Sequence, residues 1–207
     1  MKKQELKAQL LLELSILLKP YGFVLVRRMD WFIKKGQTSQ IYQLAFYNLG
    51  NPYTIAPAIA IRINEVERIF HLVSGFELQY QKYTPTINPT IQDLQKAKSG
   101  YEYVLRTPEH IEPAANDLFK VFTDIALPFM EKNCTISAID SLLNDSPEKD
   151  VIYYASDLRW YHGVIVAKLN KRENYMEVAE TYRKLIAKQA NYYLADYEKL
   201  LEILETL

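Results

Sequence analysis

The chain holds three histidines, His71, His110 and His162, and a single cysteine, Cys134, so few side chains could ligate a metal or act as a nucleophile. Glu67 and His71 lie four residues apart on a predicted helix and face the same way, so both could reach one metal ion. A structural zinc site takes four protein ligands and a catalytic one at least three. With no third ligand near in sequence, the two read as an exposed helix pair, and no metal is expected. Asp157, Arg159 and His162 fall within two turns of another predicted helix, beside Trp160 and Tyr161. An aspartate that orients a histidine is a catalytic device, but a separation of five residues turns Asp157 and His162 about 140° apart round the axis. Arg159 and His162 share a face without supplying a nucleophile. These three residues therefore read as the polar lining of a small-ligand pocket between sheet and helices, and no catalytic residue is assigned. Cys134 follows a helix end with no histidine at a diagnostic spacing, which is how a small apolar thiol reads. With only six glycines, the chain has no phosphate-binding loop, dinucleotide fingerprint or nucleophile elbow. No cofactor is expected, and the reading leans away from catalysis.

The remaining chemistry is that of recognition. Arg27, Arg28, Lys34 and Lys35 flank Trp31 and Phe32, and basic and aromatic residues interleaved on a sheet are how single-stranded nucleic acid is held. A solvated strand face with Trp31 in the core explains the same residues. Sixteen tyrosines are many for 207 residues, and tyrosine is enriched at interfaces because it buries an apolar ring while its hydroxyl stays satisfied. Tyr80, Tyr83, Tyr101 and Tyr103 form one cluster, and Tyr182, Tyr192, Tyr193 and Tyr197 another. Together, Tyr80, Tyr83, Arg27, Arg28 and Trp31 are the candidate partner-binding residues. Net charge is zero, but residues 1–107 hold 14 Lys and Arg against 8 Asp and Glu, leaving 11 against 17 in the remainder. A zero total disfavours a general nucleic-acid binder, while a basic half opposed to an acidic one suits a protein partner.

The elements that would position these residues follow from periodicity. Leu6, Leu10, Leu14, Leu17 and Leu18 recur at helical intervals over residues 2–18, and Lys19-Pro20-Tyr21-Gly22 stops the helix. Alternation then predicts strands from Phe23 to Arg28, around Trp31–Ile33, from Ile41 to Tyr47 and from Ile55 to Ile63, with Asn48–Pro52 a turn. Pro57 lacks an N–H and should lie at a sheet edge or bulge. Asn64 and Glu67 read as a capping box for a helix carrying Val66, Ile69, Phe70 and Val73. A long polar connection follows, with a short helix near Thr90–Lys98, and Tyr101–Arg106 could add a fourth or fifth strand. Beyond Pro108 the pattern is helical: 112–132 kinked or broken at Pro128, then 136–143, 150–169 and 173–205. The fold class is α+β, with an N-terminal helix, an antiparallel sheet of about four strands and a C-terminal helical half. Residues 1–107 form the sheet part and 108–207 the all-helical part of one unit. The chain reads as cytoplasmic: one cysteine permits no internal disulfide, and no run approaches the roughly 18 apolar residues that cross a bilayer.

Leu18-Lys-Pro-Tyr-Gly-Phe23, the strand ending Trp31-Phe32, the helix Asn64-Glu-Val-Glu-Arg-Ile-Phe-His71 and Ile125-Ala-Leu-Pro-Phe129 together resemble a group of uncharacterised bacterial proteins of the domain-of-unknown-function type. That resemblance implies a leading helix, a "GF" strand, an antiparallel sheet and following helices, and it transfers no catalytic residues. Small α+β proteins of this look include immunity and adaptor proteins of bacterial toxin systems, an analogy of fold alone. The expected function is non-enzymatic protein binding of that kind. The alternatives are a small-ligand binder or enzyme using the pocket named above, and a single-stranded nucleic-acid binder.

Overall fold

The computed structural model describes residues 2–47, 53–95, 102–149 and 158–207. Helix α1 (Lys3–Leu18) buries Leu6, Leu10, Leu11, Leu14 and Leu18. A 3₁₀ turn at Lys19–Tyr21 leads to Gly22, whose φ of 83° is the left-handed stop that glycine adopts without strain. Five strands follow, one more than the expected four, in the order β1 (Val24–Val26), β2 (Trp31–Lys34), β3 (Thr38–Tyr47), β4 (Tyr53–Ile63) and β5 (Tyr103–Leu105). Every neighbour is antiparallel. The predicted 48–52 turn lies outside the described residues.

Register sorts the side chains. Phe32 pairs with Tyr42, and Tyr42 with Ile59, on the face that meets the helices. There Tyr42 donates to the Leu118 carbonyl at 2.9 Å, and its ring meets Phe122 edge-on at 5.4 Å. Phe23 and Tyr21 close on the same Phe122 at 5.0 and 5.4 Å, so one aromatic knot fastens α1, the sheet and α5 (Ile111–Val121). Pro57 sits where its missing donor does least harm. On β4 the amides of Ile59 and Ile61 point outward to the carbonyls of Pro89 and Ile87, and Pro57 shares their parity. Its outward side falls between the last β5 pair, at Ile55, and the first contact with the 87–90 segment, at Ala58.

Helix α2 (Asn64–Phe70) starts as expected, but without the predicted capping box. Asn64 turns its amide to the Gly36 carbonyl, 3.0 Å away, and Glu67 points into the interior. Short helices α3 (Leu78–Gln81) and α4 (Ile91–Gln95) lie in the long connection. The proline in the next helix produces a widened turn and no break. Between α5 and α6 (Leu127–Lys132) the chain makes a π turn at Phe122–Ala126, and the Leu127 amide reaches back five residues to Phe122. A proline ring crowds the carbonyl four residues before it, and a wide turn relieves that crowding.

Helix α7 (Ile136–Asn144) is capped by Thr135, whose hydroxyl accepts from the Ala138 amide. Helix α8 (Arg159–Leu169) is buried from Arg159 through Ala167 and so has no polar face, the mark of a helix inside a core. The predicted 173–205 helix is two: α9 (Tyr175–Gln189) and α10 (Leu194–Glu205), parted at Ala190 by a 3₁₀ turn. No glycine or proline marks that break. Tertiary contacts hold it, with Tyr161 donating to the Tyr193 carbonyl at 2.8 Å and Tyr197 to that of Ala179 at 3.1 Å. One continuous apolar core takes residues from both halves of the sequence. Among the described residues no helix is long and apolar enough to cross a membrane.

Gly163 is set by close approach. A Cβ there would lie 2.6 Å from the Tyr182 ring, and the Tyr182 hydroxyl is already fixed against Leu143 O and Asn144 Oδ1 at 2.9 and 2.8 Å. Gly163→Ala is expected to lower stability by about 1–3 kcal/mol, the usual cost of forcing extra volume into a filled core; urea denaturation measures it.

Candidate functional site

The polar centre of the molecule is the Glu67 carboxylate, which is fully buried. Its Oε1 accepts from the Thr86 hydroxyl at 2.8 Å and lies 3.0 Å from His162 Nε2. Its Oε2 accepts from the Thr84 hydroxyl at 2.6 Å, with Arg62 Nη1 at 3.6 Å and His71 Nε2 at 3.9 Å. The network continues outward. Arg62 donates to the carbonyl and hydroxyl of Thr84, and the Ile63 amide donates to the Thr86 hydroxyl at 2.9 Å. Since the Thr84 proton goes to Glu67, His71 Nε2 must act as the donor at its 2.8 Å contact with that hydroxyl, leaving Nδ1 to accept from Ser74 at 2.7 Å. Burial alone would raise the Glu67 pKa, but the charge of His162, with hydrogen bonds from His162, Thr84 and Thr86, brings it below the ordinary glutamate value. Burial lowers that of His71, which Glu67 only partly offsets.

This arrangement corrects two expectations. Glu67 and His71 are not an exposed helix pair. They face inward, and a third residue, His162, arrives from α8. Even so, no group of three His, Cys, Asp or Glu among the described residues could hold a metal. Arg159 and His162 do not line an open pocket. Both are buried, and the Arg159 Nη2 donates to the Pro147 carbonyl at 2.6 Å with its guanidinium 6.0 Å from the Tyr182 ring. Asp157 lies outside the described residues. Nothing local announced the Glu67–His162 pair, since its members are far apart in sequence. The legible sign was a charged residue inside the apolar stripe Val66, Ile69, Phe70.

The candidate partner-binding residues fare differently. Arg28, Trp31 and Tyr83 meet on the outer side of the β1–β2 hairpin. Arg28 donates to the Tyr83 hydroxyl, and its guanidinium lies 5.1 Å from that ring. Trp31 meets the ring edge-on at 6.2 Å, and the Lys82 ammonium approaches it to 5.1 Å. Tyr80, whose carbonyl accepts from the Tyr83 amide at 2.9 Å, is exposed, as are Leu72, Phe76 and Leu78; Leu78 is 84% accessible. Arg27 diverges. It lines a shallow depression against α1 with Gln4, Lys7 and Asp30. Trp31 is half-buried, neither a core residue nor a bare platform. In the C-terminal tyrosine cluster, Tyr182 and Tyr197 are core residues and Tyr192 is exposed; Tyr101 is not among the described residues.

The exposed segment is held by the buried carboxylate beneath it. His71 Nε2 lies 3.0 Å from the Gln81 carbonyl, and Gln81 donates to the Phe76 carbonyl at 2.9 Å. Thr84 and Thr86, the two hydroxyls on Glu67, fix the chain directly after Tyr83. Elsewhere, an open cleft of about 630 Å³ lies between the end of the sheet and α7, lined in part by Gln37, Asn64, Glu65, Arg68 and Cys134. Neither Arg159 nor His162 lines it, and the Cys134 thiol in it contacts the Glu131 carbonyl at 3.2 Å. No family model, curated protein or solved structure matches the chain.

Glu67→Gln is expected to cost about 3–5 kcal/mol, the range for breaking a buried charge pair. Because the folded carboxyl has the lower pKa, its contribution is complete above about pH 4.3 and is lost as the pH falls through the folded value. Denaturation across pH 3–7 should therefore show an acid limb in the wild type that is flatter in Glu67→Gln.

Proposed function

We propose that the chain is a non-enzymatic protein-binding module of the immunity or adaptor kind, docking through the surface round Tyr83. The observation that carries this reading is the meeting of Arg28, Trp31 and Tyr83, just after a segment in which Phe76, Leu78 and Tyr80 are exposed. Aromatic and arginine side chains anchor interfaces, and contiguous exposed apolar side chains mark contact sites. The internal placement of Glu67, His71 and His162 supports the same reading, because a fully buried carboxylate and imidazole cannot meet a substrate. The resemblance read from residues 18–23, 31–32, 64–71 and 125–129 is compatible with it.

Capture from native lysate after nuclease treatment tests it, comparing the wild type with Leu78→Asp. A single stoichiometric protein, reduced at least ~10-fold by the substitution while the melting temperature is unchanged, supports the module. Equal capture by both proteins, or none, overturns it. The cleft near Arg68 and Cys134 favours a second reading, a small-ligand binder. That reading expects a compound from a thermal-shift screen whose stabilising effect Arg68→Ala removes.

A further inference from the structure

We infer that the Tyr83 surface takes an acidic peptide segment of the partner, one that carries carboxylates next to a large apolar side chain; this inference rests on the binding role proposed above. Two cations of the sheet half meet anions: Lys7 holds Asp30, and Arg62 faces Glu67. At Tyr83 two cations share one ring instead. Arg28 and Lys82 are both exposed, and each lies 5.1 Å from the same ring centroid. The two charges are therefore no further apart than the sum of those distances. Among the described residues neither has a carboxylate within ion-pair distance. The nearby Glu77 accepts instead from Gln79 at 2.7 Å.

Arg28 spends one donor on the Tyr83 hydroxyl, and its fork has five N–H groups in all. Lys82 adds three. A pair of carboxylates would engage those donors, while Leu78 and Tyr80, exposed in the residues just before Lys82, supply apolar contact. A nucleobase fits this surface less well. Stacking needs a bare ring face, and the Tyr83 ring is already met by two cations and the Trp31 edge. Leu72 and Leu78 offer aliphatic contact that suits a leucine or phenylalanine side chain.

The test is a displayed library of random unphosphorylated peptides, panned on the wild type, on Arg28→Glu/Lys82→Glu and on the remote control Lys188→Glu. Labelled oligo(dT) is titrated in parallel. The inference expects clones rich in Asp and Glu with a Leu, Phe or Trp. Their binding should fall at least ~10-fold in the double variant and with rising salt, and persist in the control. Neutral or basic clones, or clones indifferent to the double reversal, overturn the partner class. If the lysate partner is still lost on Leu78→Asp, the binding role stands and only the chemistry assigned to the partner falls. Oligo(dT) binding abolished by the same reversal overturns the peptide in favour of nucleic acid.

Discussion

A carboxylate with no access to water has to be surrounded by donors, and that requirement organises the middle of this molecule. Glu67 draws Thr84 and Thr86 from the long connection, His162 from the helical half and Arg62 from the last long strand. Four separate stretches of chain converge because one charge would otherwise be stranded. The cost of leaving such a group unpaired far exceeds the worth of any single hydrogen bond around it. The second half of the connection is pinned along β4 for the same reason: Thr86 and Ile87 both donate to Ile61 O, two residues before Ile63, whose amide binds the Thr86 hydroxyl.

That arrangement separates two tasks. The inward side of the 81–87 stretch satisfies the carboxylate, and the outward side presents Tyr83 to Arg28 and Trp31. The turn after α3 makes this possible: Thr84 and Thr86 are buried on the carboxylate, and half-buried Tyr83 meets Arg28 and Trp31. A polar interior thus fixes the position of an aromatic on the surface, and the surface inherits the rigidity of the core.

The fold was largely legible in the residues because its signals are local. Leucine spacing predicts α1, and alternation with turn residues predicts β2, β3 and β4. Pro57, expected at a sheet edge or bulge, lies instead on an interior strand, at the stretch of β4 left unpaired between β5 and the 87–90 segment. What was not legible depends on distant partners. The break at Ala190 has no helix-breaking residue and exists because Tyr161 and Tyr197 hold the chain on either side of it. At the candidate surface, the composition of Arg28, Trp31 and Tyr83 was readable and their meeting was not, while Arg27, in the same turn, lines the depression against α1. Arg159 and His162 misled because polar residues on a helix normally signal solvent. Here α8 is interior, and their partners, Pro147 O and Glu67, lie on other elements.

Residues 76 to 80 are all exposed, between a histidine anchor on one side and two threonine anchors on the other. Apart from Phe76, whose ring meets those of Phe70 and His71, such a stretch can drift in sequence with little effect on the apolar interior, because its side chains stand in solvent. Selection could therefore retune what the surface recognises while leaving foldability untouched. A lineage of these chains would be expected to diverge fastest there, with the carboxylate and its threonines changing slowest.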